Sequence, residues 1–189
     1  MAPAPTFARH PAPSTARVVG VLVVLAVVAL LLFFTVGGPF GTVNDVLNAA
    51  VGAASATLTG LTTRGARHPL DVAGALVGVL GGVVFSYGAW LVLSDTTGFF
   101  LAGLVSGVGA GLVGVWLLVV NRPAPTHRRD PATRLGLVTG AVMTLGLLGV
   151  PGWISGVDDW AAAPWFVGVA MLGWLGIYVL YPTWCLRRR

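Results

Sequence analysis

Apolar residues run along this chain in long blocks that are separated by short charged or polar breaks. A helix needs about 20 mostly apolar residues to cross the hydrocarbon core of a bilayer. The uncharged blocks cover residues 18–44, 46–63, 72–94, 96–121, 135–157 and 160–186. The pattern therefore predicts an integral membrane protein with almost no chain left over for a soluble domain.

The block boundaries predict six helices. We place them at about 18–36, 42–63, 71–94, 98–121, 133–150 and 162–182. Together they form a single transmembrane bundle over residues 18–186. A Pro-rich cytoplasmic tail, 1–17, precedes the bundle, and a basic tail, 187–189, follows it. A secretory signal peptide is the competing interpretation of the first block. Its apolar core would be shorter, and a small-x-small cleavage site would follow it. Here Gly37-Gly38-Pro39-Phe40 follows instead, so we expect a retained helix.

The segment 42–63 is the weakest span, because it is rich in small and hydroxylated residues and has a polar start. If it crosses the membrane, every arginine falls on the cytoplasmic side, as the positive-inside rule requires, and both termini are cytoplasmic. If it is interfacial or re-entrant, a five-helix arrangement remains, and this misplaces only Arg9 and Arg17. We expect the six-helix arrangement.

An x-Pro-x4-Gly-x3-Gly pattern occurs twice in the chain. His68-Pro69 is followed by Gly74 and Gly78, and Asp130-Pro131 is followed by Gly136 and Gly140. Each copy opens a two-helix hairpin, and an even number of helices per copy makes the repeat parallel. The predicted fold is therefore an all-α bundle of three hairpins, the second and third related by an internal repeat. Chance similarity in a glycine-rich chain is the alternative.

Glycines spaced four residues apart form ladders in three of the predicted helices. Such residues share a helix face, and glycine there allows two backbones to approach closely. The predicted helix-packing residues are Gly74, Gly78, Gly82, Gly103, Gly107, Gly111, Gly136 and Gly140. A contact between two copies of the chain is the alternative use of the same faces. Near the end of the last helix, Tyr178, Tyr181 and Trp184 are expected to anchor the helix at the headgroup level.

Composition agrees with the membrane assignment, since 56% of residues are hydrophobic and only 9% are charged. Soluble domains carry about 25% charged residues. All basic residues are Arg and all acidic residues are Asp, with a sequence pI near 10.7. In a membrane protein this excess of arginine sets orientation, so we expect the lipid bilayer as the surroundings and no nucleic acid partner.

Reactive groups are scarce. His10, His68 and His127 fall in the tail or in cytoplasmic loops, where they cannot hold a haem inside the bundle. HExxH, CxxC, GxSxG and phosphate-loop patterns are absent, and Cys185, as the single cysteine of the sequence, cannot form a disulfide within the chain. We therefore expect no catalytic residues, no metal and no cofactor.

The most polar segment follows the first helix, as Pro39-Phe40-Gly41-Thr42-Val43-Asn44-Asp45, with Asn48 one turn further on. The candidate polar site consists of Thr42, Asn44, Asp45 and Asn48. It is either a helix start capped by Thr42 or a small polar or cation-binding vestibule. The PFGTxND segment resembles small uncharacterised bacterial multi-pass membrane proteins. This resemblance implies a bacterial membrane protein and brings no activity with it.

These features favour a non-catalytic multi-pass protein of a bacterial inner membrane, with an accessory, scaffold or regulatory role. A membrane-protein partner or a homo-oligomer would then be expected. The alternative is a small-solute channel or carrier that uses the polar site as its vestibule. An enzyme acting on lipid is a third class, but the sequence lacks a nucleophile paired with a base.

Overall fold

The structure, a computed structural model, describes residues 13–64, 66, 68–122 and 130–187. This part of the chain forms six long helices and contains no strand. The helices are α1 (Pro13–Val36), α2 (Phe40–Leu61), α3 (Pro69–Leu93), α4 (Phe99–Val120), α5 (Pro131–Ile154) and α6 (Trp165–Arg187). The predictions for the tail residues 1–12 and 188–189 lie outside the described residues.

Two proline-led helix starts have the same local structure. The Nδ1 of His68 accepts a hydrogen bond from the backbone N–H of Leu70 at 3.1 Å, and Asp130 accepts one from Ala132 at 3.1 Å. Proline suits the first helical turn because its missing N–H would have no partner there. The capping side chains accept hydrogen bonds from N–H groups that are free in that turn. The repeated x-Pro pattern thus marks the beginnings of α3 and α5.

The last two helices continue through proline, beyond the ends predicted at 150 and 182. α5 narrows to a 3-10 turn at Leu145–Gly149 before Pro151, and α6 widens to a π segment at Gly176–Leu180 before Pro182. A proline ring clashes with the carbonyl four residues earlier and removes one hydrogen bond. Local 3-10 and π geometry accommodates these changes, so both helices extend further than a proline rule predicts.

Each helix runs antiparallel to the one before it, and α4 is the most enclosed. In the most apolar window of α4, 61% of residues are buried, against 28% to 39% in α1, α3, α5 and α6. The largest side chains buried in the bundle are Trp116, Trp184, Tyr181 and Phe85. α1 closes the bundle by packing on the second half of α6, where Gly20 lies beside Cys185 and Leu186.

Five helices are long and apolar enough to cross a membrane, namely α1, α3, α4, α5 and α6. The prediction of an all-helical membrane protein is confirmed at this level. The remaining helix, α2, is not among these candidate spans. It carries the segment identified above as the weakest span. It nevertheless packs between α1 and α3, with Gly41 beside Phe33 near its start and Thr59 beside Gly78 near its end.

Charged residues are separated between the two ends of the bundle. The described arginines, Arg17, Arg64, Arg122, Arg134 and Arg187, all lie at one end, which we call the basic end. Asp45, Asp95, Asp158 and Asp159 lie at the other, which we call the acidic end. Asp71 and Asp130 are at the basic end, where the carboxylate of Asp71 pairs with Arg122 at 2.8 Å. Arg67, Arg128 and Arg129 lie outside the described residues.

Six of the eight ladder glycines face neighbouring atoms closely. An added Cβ would lie 2.5 Å from the Gly52 carbonyl oxygen at Gly82, and 2.8 Å from neighbouring atoms at Gly74, Gly78 and Gly140. At Gly111 it would lie 2.9 Å from Leu147, and at Gly136 it would strike the side chain of Asn121. At Gly103 and Gly107 it would meet only Trp174, at 4.0 and 3.8 Å. The backbone of Gly107 is approached instead by Gly146.

Candidate functional site

A cavity of about 330 Å³ lies at the acidic end of the bundle. Its polar lining comes from Asn44, Asp45 and Asn48 of α2, Ser106 of α4, and Trp174 and Tyr178 of α6. The rest of the lining is apolar or glycine: Leu30, Phe34, Gly88, Ala89, Val92, Phe99, Phe100, Ala102, Gly103 and Met171. Five of the six helices therefore contribute to this cavity, with the polar groups concentrated on α2 and α6.

The α2 wall is built from two asparagines one helical turn apart. Asn44 is 2% exposed, and its Nδ2 donates to the backbone carbonyl of Ala26 in α1 at 2.8 Å. Asn48 donates from Nδ2 to the Oδ1 of Asn44 at 3.0 Å. Residues four apart lie on one helix face, so the sequence spacing places both amides at the same wall. The hydrogen bond to Ala26 also ties α2 to α1.

Tyr178 of α6 completes this network. Its hydroxyl is 3.3 Å from the Nδ2 of Asn48 and 3.4 Å from the Oδ1 of the same side chain. The sequence predicts that Tyr178, Tyr181 and Trp184 anchor the helix at the headgroup level. This prediction is wrong for Tyr181 and Trp184, because both side chains are fully buried in the bundle. Tyr178 lines the cavity. The asparagine and tyrosine groups thus satisfy one another's hydrogen bonds.

Asp45 differs from its neighbours in the site. Its side chain lines the cavity and is half-buried, yet it forms no hydrogen bond or ion pair with any residue that the structure describes. A carboxylate removed from water is costly unless it is paired. Asp45 is therefore the charged group of the cavity, and its carboxylate has unused capacity to bind.

Thr42, the fourth residue of the predicted site, does not line the cavity. α2 begins at Phe40, two residues earlier than predicted, and Pro39 occupies the N-cap position without a side-chain hydrogen bond. Thr42 therefore lies within the first turn, is exposed, and does not cap the helix. The structure brings together Asn44, Asp45 and Asn48 and leaves Thr42 outside.

Towards the basic end the cavity is closed by a layer of large buried side chains. Phe85, one turn below the α3 lining, is 2% exposed, and its ring centroid is 6.2 Å from that of Trp174. Tyr181 follows Tyr178 by one turn of α6, and its hydroxyl donates to the Oγ of Ser55 at 3.2 Å. Trp116 and Trp184 pack edge to face behind it, with centroids 5.9 Å apart. The cavity is a blind pocket in this conformation.

The mouth of the cavity is apolar. Phe34, near the end of α1, is 71% exposed, and Phe99, at the start of α4, is 62% exposed, although both also line the cavity. The contacts of α1 with α6 are concentrated in the second half of α6. The pocket therefore opens beside outward-facing aromatic side chains.

Within the described residues, no group of three His, Cys, Asp or Glu side chains is placed to share a metal ion. The pocket offers one carboxylate, two amides, a serine hydroxyl, a tyrosine hydroxyl and the indole N–H of Trp174 among apolar and aromatic walls. This combination is typical of a binding site in which a few polar groups orient a mostly apolar ligand.

Comparison of the chain with protein-family models, with curated proteins and with solved structures finds no match. The class therefore follows from the fold alone. Five long apolar helices, packed together and joined by short connections, define a multi-pass helical membrane protein.

Proposed function

We propose that this chain is a non-catalytic multi-pass protein of a bacterial inner membrane with an accessory, scaffold or regulatory role. The observation that carries the proposal is the closed layer below the cavity. A channel needs a continuous path, and here Phe85, Tyr181 and Trp184 fill the interior where that path would run. The outward faces are aliphatic, with Leu31 and Leu76 about 60% exposed, and they supply surface for lipid or for a partner helix.

We further propose that all six helices cross the membrane. α2 has 22 residues and a length of about 33 Å, which matches the thickness of the hydrocarbon core. It packs between two candidate spans, and four of its polar residues are buried in the bundle, namely Asn44, Asn48, Ser55 and Thr59. Because the described arginines share one end, the positive-inside rule puts that end, and with it both termini, in the cytoplasm.

The second candidate function is a small-solute carrier. The cavity at Asn44, Asp45 and Asn48 favours it, since it supplies a polar vestibule at the acidic end. A carrier would require the layer of Phe85, Tyr181 and Trp184 to part during transport. In that case the closed pocket is one state of an alternating cycle.

Two measurements separate these candidates. Tagged protein extracted in a mild detergent should retain a stoichiometric membrane-protein partner if its role is accessory. Protein that purifies only as a single species in every mild detergent contradicts that role.

Purified protein in liposomes should not accelerate swelling in iso-osmotic glycerol or urea beyond that of protein-free liposomes. Swelling above that baseline would establish transport by this chain alone and overturn the proposal.

A further inference from the structure

We propose that the acidic-end cavity binds lipophilic organic cations, meaning molecules that carry an ammonium group on an apolar body. This inference rests on the chain lying in a membrane and goes beyond the accessory role. A purely structural scaffold would not need a pocket of this kind, and the inference assigns a class of ligand to it.

The charge of the site points to a cation. Asp45 lines the cavity, and the described arginines that could neutralise it all lie at the basic end of the bundle. Like-signed groups, Asp95, Asp158 and Asp159, share the acidic end with it. A carboxylate within or near the membrane is expensive without a partner, so ionised groups there usually mark a binding site or an ion pathway. A bound cation would supply the ionic partner that the Asp45 carboxylate does not find among the residues that the structure describes.

The hydrogen bonding of the site points the same way. Asn44 and Asn48 are bonded to each other, to Ala26 and to Tyr178, so each amide group already has hydrogen-bond partners. The serine of the lining, Ser106, has its hydroxyl 3.4 Å from the carbonyl of Phe85 in α3. The carboxylate of Asp45, the one charged group of the lining, is an acceptor, and a ligand that brings a positive charge or N–H donors complements it.

The walls fit the rest of such a molecule. Five aromatic rings line the cavity, those of Phe34, Phe99, Phe100, Trp174 and Tyr178. Aromatic faces attract ammonium groups, most strongly where water is excluded, and they also pack against an apolar body. A cavity of about 330 Å³ is at the small end of the range for drug-sized ligands. The exposed rings of Phe34 and Phe99 at the mouth allow the apolar body to enter from the lipid side.

The test uses tritiated phenylbutyltrimethylammonium and its uncharged analogue, in which carbon replaces the ammonium nitrogen. Binding to the purified protein in a neutral detergent is measured by scintillation proximity. We expect saturable binding that the uncharged analogue displaces at least about tenfold less well than the unlabelled cation, a difference that corresponds to one modest ionic interaction. Equal displacement by the two compounds would overturn the proposal.

Asp45→Asn and Asp95→Asn form a matched pair, since each removes one carboxylate at the acidic end and only Asp45 lines the cavity. Asp95 has a positive φ of 53°, a backbone conformation that asparagine tolerates well. We expect the first substitution to weaken cation binding by about tenfold or more and the second to change it less than about twofold. Unchanged affinity in folded Asp45→Asn protein would contradict the proposal.

Gly103→Leu keeps the test decisive if Asp45→Asn does not fold. An added Cβ at Gly103 meets only Trp174 at 4.0 Å, so a larger side chain enters the cavity and leaves the charge in place. Binding should be lost, and retained binding would overturn the proposal. Loss of cation binding leaves the partner complex untouched, so failure of this inference is distinguishable from failure of the accessory role.

Discussion

The amide of Asn48 and the hydroxyl of Tyr178 lie 3.3 Å apart in the lining of the cavity, although 130 residues separate them in the chain. This contact joins α2, the least apolar helix, to α6, the last one. Through Asn44 the same network reaches the carbonyl of Ala26 in α1. Three helices at the acidic end are therefore tied together by hydrogen bonds between polar side chains and one backbone carbonyl.

Removing the tyrosine hydroxyl should weaken this connection. We expect Tyr178→Phe to lower the free energy of unfolding by about 0.5–1.5 kcal/mol, towards the lower value because hydrogen bonds in membrane proteins average about 0.6 kcal/mol. Thermal or denaturant unfolding in mild detergent measures the change. Tyr87→Phe is the matched control, since Tyr87 is 46% exposed and only stacks on Trp90. Equal effects of the two substitutions would show that the network contributes nothing specific.

The sequence located half of this network. The spacing of Asn44 and Asn48 predicts one polar face, because helix periodicity is a local property. Tyr178 could not be connected to it, since a tyrosine near a predicted helix end is usually an interfacial anchor. The π segment before Pro182 also extends α6 and changes the face that its tyrosines present. Long-range register of this kind depends on packing that no local pattern encodes.

Gly82 and Gly103 belong to similar ladders in the sequence and differ in their surroundings. An added methyl group at Gly82 would lie 2.5 Å from the Gly52 carbonyl oxygen, but at Gly103 it would lie 4.0 Å from Trp174. We expect Gly82→Ala to destabilise the bundle by about 1–3 kcal/mol, because two backbones must separate. Gly103→Ala should be neutral or stabilise by a few tenths of a kcal/mol, since alanine favours the helix.

Thermal unfolding of both variants in the same detergent measures this difference. A larger change at an adjacent ladder position, Gly78→Leu, should be more severe, since Thr59 and Trp116 already lie 2.8 Å from an added Cβ. Leu80→Ile, on the exposed face of the same helix, should be nearly silent. Wild-type stability of Gly82→Ala would mean that this face is not a tight contact. The four-residue spacing thus identifies a face, and only the structure shows what lies across it.

Asp158 caps a helix to which it is not adjacent in sequence. Its carboxylate oxygens accept hydrogen bonds from the backbone N–H groups of Gly98 and Leu101, both at 2.8 Å, at the start of α4. These groups have no partner within the helix, and a negative charge there also complements the helix dipole. We expect Asp158→Ala to cost about 1–2 kcal/mol of stability.

Asp159→Ala is the control for this substitution. Asp159 accepts a hydrogen bond from Ala161 at 3.0 Å in a three-residue turn on the surface, so its removal should have a smaller effect. Unfolding of the two variants in detergent compares them directly. If Asp159→Ala proved the more harmful, the cap on α4 would not be the stabilising contact.

The orientation of the bundle can be tested with single cysteines in a Cys185→Ser background, because Cys185 is fully buried and is the one cysteine of the chain. Thr96→Cys lies at the acidic end and should react with an impermeant thiol reagent on intact cells. Ala66→Cys, at the basic end, should react only after permeabilisation. The five-helix alternative predicts the same labelling of Thr96→Cys and Ala66→Cys, so a third probe is needed to separate the two arrangements. Thr6→Cys lies outside the described residues, in the tail that the six-helix arrangement puts in the cytoplasm. Labelling of Thr6→Cys on intact cells would place the N-terminus outside, so that α2 could not cross the membrane.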